Sequence, residues 1–151
     1  MDHRIVACAR GWIGTRFHHQ GRVKKTATHK GGVDCLGVLV GVASELNLVG
    51  FDGLLLTAAD EINYSHYPDS VHLRTRLLAL LSPMAIDAIE PGDIVLLEVN
   101  NSPQHLAIVS DIGGKLGFIH AYAPAKAVVE HQIDSWWHER IEAAFRIPVS
   151  A

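Results

Sequence analysis

The sequence has little cysteine, no long hydrophobic run and no dominant charge, and each shortage removes a class of protein. Only Cys8 and Cys35 occur among 151 residues, so one disulfide at most could form. A domain of this length needs no such staple, and both thiols are expected to be reduced. No apolar run approaches the ~20 residues of a membrane span, since the longest is broken by glycines and ends at Ser44-Glu45. Lysine and arginine number 13 against 16 acidic residues, a formal charge of -3, which gives no global attraction to nucleic acid or to an anionic membrane. The basic stretch Arg22-Val23-Lys24-Lys25 is short and flanked by glycine, and it reads as a solvated loop. Met1-Asp2-His3-Arg4 lacks the charged and then apolar pattern of a signal peptide, so the product is expected to stay in the cytosol after synthesis. Ten histidines are many, and His18-His19, His29, His66 and His72 invite a metal. There is, however, no H-E-x-x-H, no C-x-x-C and no paired Cys/His cluster at finger spacing, so no metal site is expected.

With 48% hydrophobic and 19% charged residues, the chain can bury one sizeable core and is too short for two ordinary domains, so residues 1–151 read as a single domain. Its most informative feature is Asp34-Cys35. A glycine-led turn, Gly31-Gly32, runs there into the uncharged stretch from Leu36 to Ala43, which places a thiol at the start of a buried helix reaching about Leu46. Unpaired N–H groups and the helix dipole at such a start stabilise a thiolate, and a lowered Cys35 pKa is expected. The same N–H groups could hold an oxyanion. Cys8 lies inside a first helix, from His3 towards Gly14, and reads as a small core residue.

Between the two helices, Thr15 to Gly32 reads as a long loop leading to the cysteine. Irregular sequence runs from Asn47 through Asp69. A helix is expected from Ser70 to Leu81, with an apolar stripe of Val71, Leu73, Leu77, Leu78 and Leu81, stopped by Pro83. The period then changes. Pro91-Gly92-Asp93 launches a strand over Ile94 to Val99, closed by Asn100-Asn101-Ser102-Pro103. His105 to Val109 and Leu116 to Ala121 follow on either side of Gly113-Gly114, a hairpin signal. Ala127 to Glu130 and Ala143 to Ile147 read as further strands, with a short helix around Ser135 to Glu139 between them. Helices first and strands after give an α+β fold, with a mostly antiparallel sheet of about five strands.

If Gly113-Gly114 is a two-residue turn, Ile112 faces Lys115, Asp111 faces Leu116, and the ladder sets Ala107 opposite His120. His105 then shares the face of Ala107 and lies diagonal to His120, roughly 7 Å away. One imidazole could take the proton of Cys35 while the other orients it, giving nucleophile, base and orienter.

These residues resemble the NlpC/P60 family of papain-like cysteine peptidases, and more closely its phage cell-wall peptidase branch. Val33-Asp34-Cys35-Leu36-Gly37 is similar to the family's D-C-S-G motif, Pro91-Gly92-Asp93-Ile94-Val95 to its P-G-D strand entry, His105-Leu106-Ala107-Ile108 to its H-[VL]-[GA]-I segment, and Phe118-Ile119-His120-Ala121 to its F-I-H-A segment. Trp12-Ile13-Gly14-Thr15, His19-Gln20 and the ending from Trp137 to Pro148 add the resemblance to the phage branch. Leu36 stands where the family commonly has serine, and Arg16-Phe17 where it often has Pro-Tyr. The resemblance implies a papain-like core in which the helix carrying Cys35 packs on the sheet carrying the histidines. It implies Cys35 as nucleophile, His105 as general base and His120 as the polar third member, with no metal or organic cofactor. Phe17, His19, Gln20 and Asp34 become candidates for substrate binding. The implied substrate is a peptidoglycan stem peptide, cut at an amide bond such as a D-glutamyl to diaminopimelate or lysine linkage. Phage tail proteins are the implied partners, and delivery by a phage or phage-like particle, or release by lysis, is the implied route to the cell wall. A silent structural component of a tail tip, and an amidase or acyltransferase on the same scaffold, stay open beside this reading.

Overall fold

The computed structural model describes residues 2–50, 53–60, 70–99 and 102–148. Helix α1 (His3–Arg10) begins at Asp2, whose carboxylate accepts from the Arg4 N–H, and ends at Gly11. The expected extension towards Gly14 is a run of turns. Helix α2 (Cys35–Leu46) ends at Asn47, which takes the left-handed conformation that closes helices, at φ 51°. Helix α3 (Ser70–Leu80) buries Leu77 and half-buries Leu73 on the expected stripe, while Leu78 is exposed and the Val71 side chain lies outside the described residues.

The segment from Thr15 to Gly32 is more ordered than a loop. It holds β1 (Arg22–Val23), which pairs antiparallel with β2 (Gly32–Val33), and Phe17 bridges to Val33 while Arg16 bridges to Ala127. The basic stretch is likewise not simply solvated. Arg22 is largely covered and forms ion pairs with Asp34 at 3.1 Å and Asp60 at 3.0 Å, and Lys24 pairs with Glu45 at 3.0 Å. Composition alone could not reveal those partners, which lie up to 38 positions away. Within the expected irregular stretch, a single turn of 3-10 helix spans Leu56–Ala59; residues 51–52 and 61–69 lie outside the described residues.

The main sheet is antiparallel throughout, in the order β3-β8-β4-β5-β6-β7. Its strands are β3 (Ser82–Met84), β4 (Ile94–Val99), β5 (Ser102–Ile112), β6 (Lys115–Tyr122), β7 (Ala127–Gln132) and β8 (Ile141–Arg146), with α4 (Ser135–His138) before the last. That is one strand more than the five expected. The sixth is β3, where Pro83 both follows the helix and sits on the sheet's outer edge, a position that tolerates a missing N–H. Asn100 and Asn101, expected to close β4, lie outside the described residues, and β5 begins at Ser102.

Apolar layers cover both faces of the sheet. Leu106, Ile108, Ile119 and Ala121 pack with α1 and α2, while Ala107, Val109 and Phe118 join Val95, Leu97, Ile141 and Trp137 on the other face. Burial from both sides explains why β4 reads as an uninterrupted apolar run rather than an alternation. Close approach of α2 to its neighbours depends on two glycines. A Cβ on Gly41 would meet the Trp12 ring at 2.1 Å, and one on Gly37 would meet the Gly21 carbonyl oxygen at 2.4 Å.

Candidate active site

Asp34 is the N-cap of α2, and Cys35 is the helix's first residue. Asp34 is only 4% exposed. One oxygen accepts from the Gly37 N–H at 2.8 Å and from Arg22 Nη1 at 3.1 Å, and the other from the Gln20 N–H at 2.9 Å. The cap therefore fixes both the first turn of the helix and the incoming loop. Gln20 adopts a left-handed φ of 61° at that junction. Phe17 is half-buried against the core, its N–H bonded to the Lys126 carbonyl at 2.9 Å, and the His19 carbonyl accepts from His18 Nδ1 at 2.9 Å.

The hairpin around Gly113-Gly114 has the anticipated register, with Ile112 opposite Lys115 and Ile108 opposite Ile119. Continued by one pair, it sets Ala107 opposite His120. Beside His105 the β4–β5 ladder shifts register between Leu97 and Glu98, so that Leu97 faces His105 and Glu98 faces Pro103. Such bulges re-aim a side chain at a strand end. His105 Nε2 lies 2.6 Å from His120 Nδ1, with the rings edge to face at 4.8 Å between centroids.

The thiol lies on the helix side of the sheet, packed with the layer of Leu106, Ile108 and Ile119. Cys35 lines a narrow apolar crevice with Val38, Leu39, Leu106 and Ile119, and the N–H of Leu106, the residue after His105, acts electrostatically on its sulfur. Asp34 acts electrostatically on both Cys35 and His105.

The expected thiolate is not the resting form. Burial, reinforced by the Asp34 charge, pushes the Cys35 thiol up to about 11, against the pull of the Leu106 and Leu36 N–H groups and Arg22. The helix-start argument included the dipole and omitted desolvation, which is the larger effect here. Burial also lowers His105 to about 4 and, with His105 and His131 beside it, His120 to about 2. The couple therefore rests as neutral thiol and neutral imidazole. Cys8 is more firmly protonated: burial and the Glu45 carboxylate, 3.0 Å from its sulfur, push it up to about 12.

A pH dependence of stability follows. Unfolded histidines titrate near ~6.5, above the folded values of His105 and His120, so at intermediate pH the unfolded chain binds more protons. The stability tied to these two neutral rings is complete above about pH 6.5 and is lost as pH falls towards 4 and below. Urea midpoints should drop between about pH 7 and pH 5, and His120→Gln should shrink that drop; an equal drop in the variant would assign it to other groups.

One member of the site escaped the sequence reading. His131 Nε2 lies 2.8 Å from His120 Nε2, and its Nδ1 lies 3.0 Å from the Gln132 carbonyl oxygen. The residue is one position past the expected end of its strand at Glu130. Its neighbourhood depends on the β6–β7 register, in which Phe118 faces His131. Trp137 walls this group, with centroids 5.0 Å from His131, 5.2 Å from His120 and 5.3 Å from Tyr122.

No family model matches the sequence, and no curated protein matches it. Solved structures do. The NlpC/p60 domain of the peptidoglycan hydrolase SagA aligns over 96% of this chain and 97% of its own, with a TM-score of 0.59 at 19% identity. The chain has the NlpC/P60 fold. The P60 domain of antigen MAP1204 from M. avium subspecies paratuberculosis gives a TM-score of 0.58 at 13% identity, covering 96% of this chain and 93% of that one. An N-acetylmuramoyl-L-alanine amidase from Bacteroides uniformis gives 0.57 at 12% identity, covering 97% and 98%. The NlpC/P60 fold thus extends over nearly the whole described chain, with Cys35 at the start of its central helix and the histidines on its sheet. Among the described residues no helix is long and apolar enough to cross a membrane.

Proposed function

We propose that the protein is a cysteine hydrolase that cleaves an amide bond in the stem peptide of peptidoglycan. The observation that carries this reading is a thiol at a capped helix start, in a crevice lined by Leu106, the neighbour of a histidine that is itself 2.6 Å from a second histidine. Solved structures of the same fold described as peptidoglycan hydrolases support the substrate class.

The neutral resting couple suits general-base attack. Cys35 Sγ adds to the amide carbonyl carbon as its proton passes to His105, and the amides at the start of α2 stabilise the oxyanion. His105 then delivers that proton to the departing amine as the C–N bond breaks, leaving a thioester. Water attacks the thioester, giving a proton to His105, which returns it to the sulfur as the acid leaves. Asp34 holds the helix start and Gln20 in place, while Phe17 and His19 lie on the adjoining loop as candidate substrate contacts. Attachment to a phage or phage-like particle is the expected route to the wall, from the resemblance of Trp12-Ile13-Gly14-Thr15 and the C-terminal segment to the phage branch.

Two observations favour other readings. The structure of similar fold described as an N-acetylmuramoyl-L-alanine amidase points to cleavage at the glycan end of the stem. The raised Cys35 thiol suits a non-catalytic component of a tail tip. Mass spectrometry of purified peptidoglycan after incubation separates all three. New ends within the stem peptide are the expected result, release of whole stems would assign the amidase, and intact material would leave the structural reading.

A further inference from the structure

We propose that His131, anchored by the Gln132 carbonyl, is a positioning residue that determines which nitrogen of His105 is free to receive a proton. The inference deepens the cysteine-hydrolase reading and rests on it for its kinetic consequence.

The argument is a count of protons along three rings. A carbonyl oxygen can only accept, so a His131 ring with a single hydrogen, 3.0 Å from Gln132 O through Nδ1, must carry it on Nδ1. Its Nε2 is then a lone pair. His120 Nε2, at 2.8 Å, must donate to it, which leaves His120 Nδ1 as a lone pair. His105 Nε2, at 2.6 Å, must donate in turn, so the lone pair of His105 falls on Nδ1. The reverse polarity would set two lone pairs against each other at Gln132. One backbone carbonyl at the end of β7 therefore sets the tautomer of all three rings, as outer hydrogen bonds set the tautomer of a functional histidine elsewhere.

Packing keeps the chain intact. Tyr122 stacks on His120 at 5.1 Å with an interplanar angle of 23°, and Trp137 closes the other side against both His120 and His131. His120 is 1% exposed, so water has little access to replace a missing ring as its partner. Without an acceptor at position 131 the His120 hydrogen loses its partner. The ring then gains by moving the hydrogen to Nδ1, where it would oppose the His105 Nε2 hydrogen and force His105 into the other tautomer.

Two substitutions distinguish this from a filling role. His131→Phe keeps an aromatic ring against Trp137 and removes the acceptor, whereas His131→Gln offers an amide oxygen to His120. Ring-nitrogen NMR of the wild-type protein should find hydrogen on Nε2 of His105, Nε2 of His120 and Nδ1 of His131; any other pattern overturns the proposal without a variant. In His131→Phe the His105 pattern should change and kcat should fall about tenfold, with KM little altered, and His131→Gln should restore both. An unchanged His105 pattern in His131→Phe, or equal losses in both variants, would overturn it. Should Cys35→Ala keep full activity, the hydrolase reading fails by itself while the tautomer pattern stands or falls on the NMR.

Discussion

Cys35→Ala is expected to lower cleavage of peptidoglycan stem peptides by about 10⁴-fold or more, the scale lost when a hydrolase loses its nucleophile, while the folded structure persists. The side chain is half-buried at a helix start, and the cap on Asp34 does not involve the sulfur, so the stability cost should stay at about 1 kcal/mol or below. Cys35→Ser should be similarly inactive. A hydroxyl is a much weaker acid than a thiol, and the neutral His105 ring, lowered to about 4, is a weak base. Cys8→Ser should retain activity, because the Cys8 thiol lies on α1 and is tied to Glu45 rather than to the histidines. Turnover is checked by the rate of release of stem-peptide fragments, with the fold checked by thermal unfolding. Cleavage by Cys35→Ala at the wild-type rate would remove the mechanism. The resting state has its own check: alkylation of Cys35, measured in the Cys8→Ser background, should keep rising with pH towards about 11 instead of levelling near the ~8.5 of a free cysteine. Levelling near neutrality would mean a preformed thiolate pair.

Asp34→Ala is expected to destabilise the protein by about 3 kcal/mol, combining a lost helix cap of ~1 kcal/mol with buried donors left unmatched. Its carboxylate serves Gly37, Gln20 and Arg22 together, and the closeness of Gly37 to Gly21 leaves no room for the loop to settle elsewhere. Arg22 retains Asp60, so no uncompensated cation is stranded. Asp34→Asn separates position from charge. Its amide oxygen can still cap Gly37, but it cannot also replace the second carboxylate oxygen, so part of the stability should return. The Asp34 charge raises both Cys35 and His105; in Asp34→Asn, Cys35 alkylation should therefore begin at lower pH and the acid limb of activity should move lower as well. Denaturant midpoints and the two pH profiles check these outcomes, and unmoved profiles would mean that Asp34 acts through the cap alone.

The contrast between His120 and His131 marks where the sequence stops being informative. His105 and His120 lie on two strands joined by a two-residue turn, so counting outward from Gly113-Gly114 was enough to put them on one face. His131 lies on the next strand, after a connection whose Ala123–Ala125 turn and left-handed Lys126 set the offset. No local signal specifies that offset, and the third ring stayed hidden. The helix start at Cys35 was legible because an Asp cap followed by small and apolar residues is a local signal. The charge state of its thiol was not, because desolvation depends on Leu106 and Ile119, which line its crevice from distant parts of the chain. Arg22 gives the same lesson: a short basic run reads as solvated until folding brings Asp34 and Asp60 to it.

Short-range order along the chain thus determined the helices, most of the strands, the hairpin register and the pairing of His105 with His120, since periodicity, caps and turns act over a few residues. Only the tertiary structure decided the edge strand through Pro83, the ion-paired floor beneath Asp34, the third histidine and the neutral resting couple. Those depend on which distant groups exclude water from a given atom, and exclusion of water is a property of the packed chain.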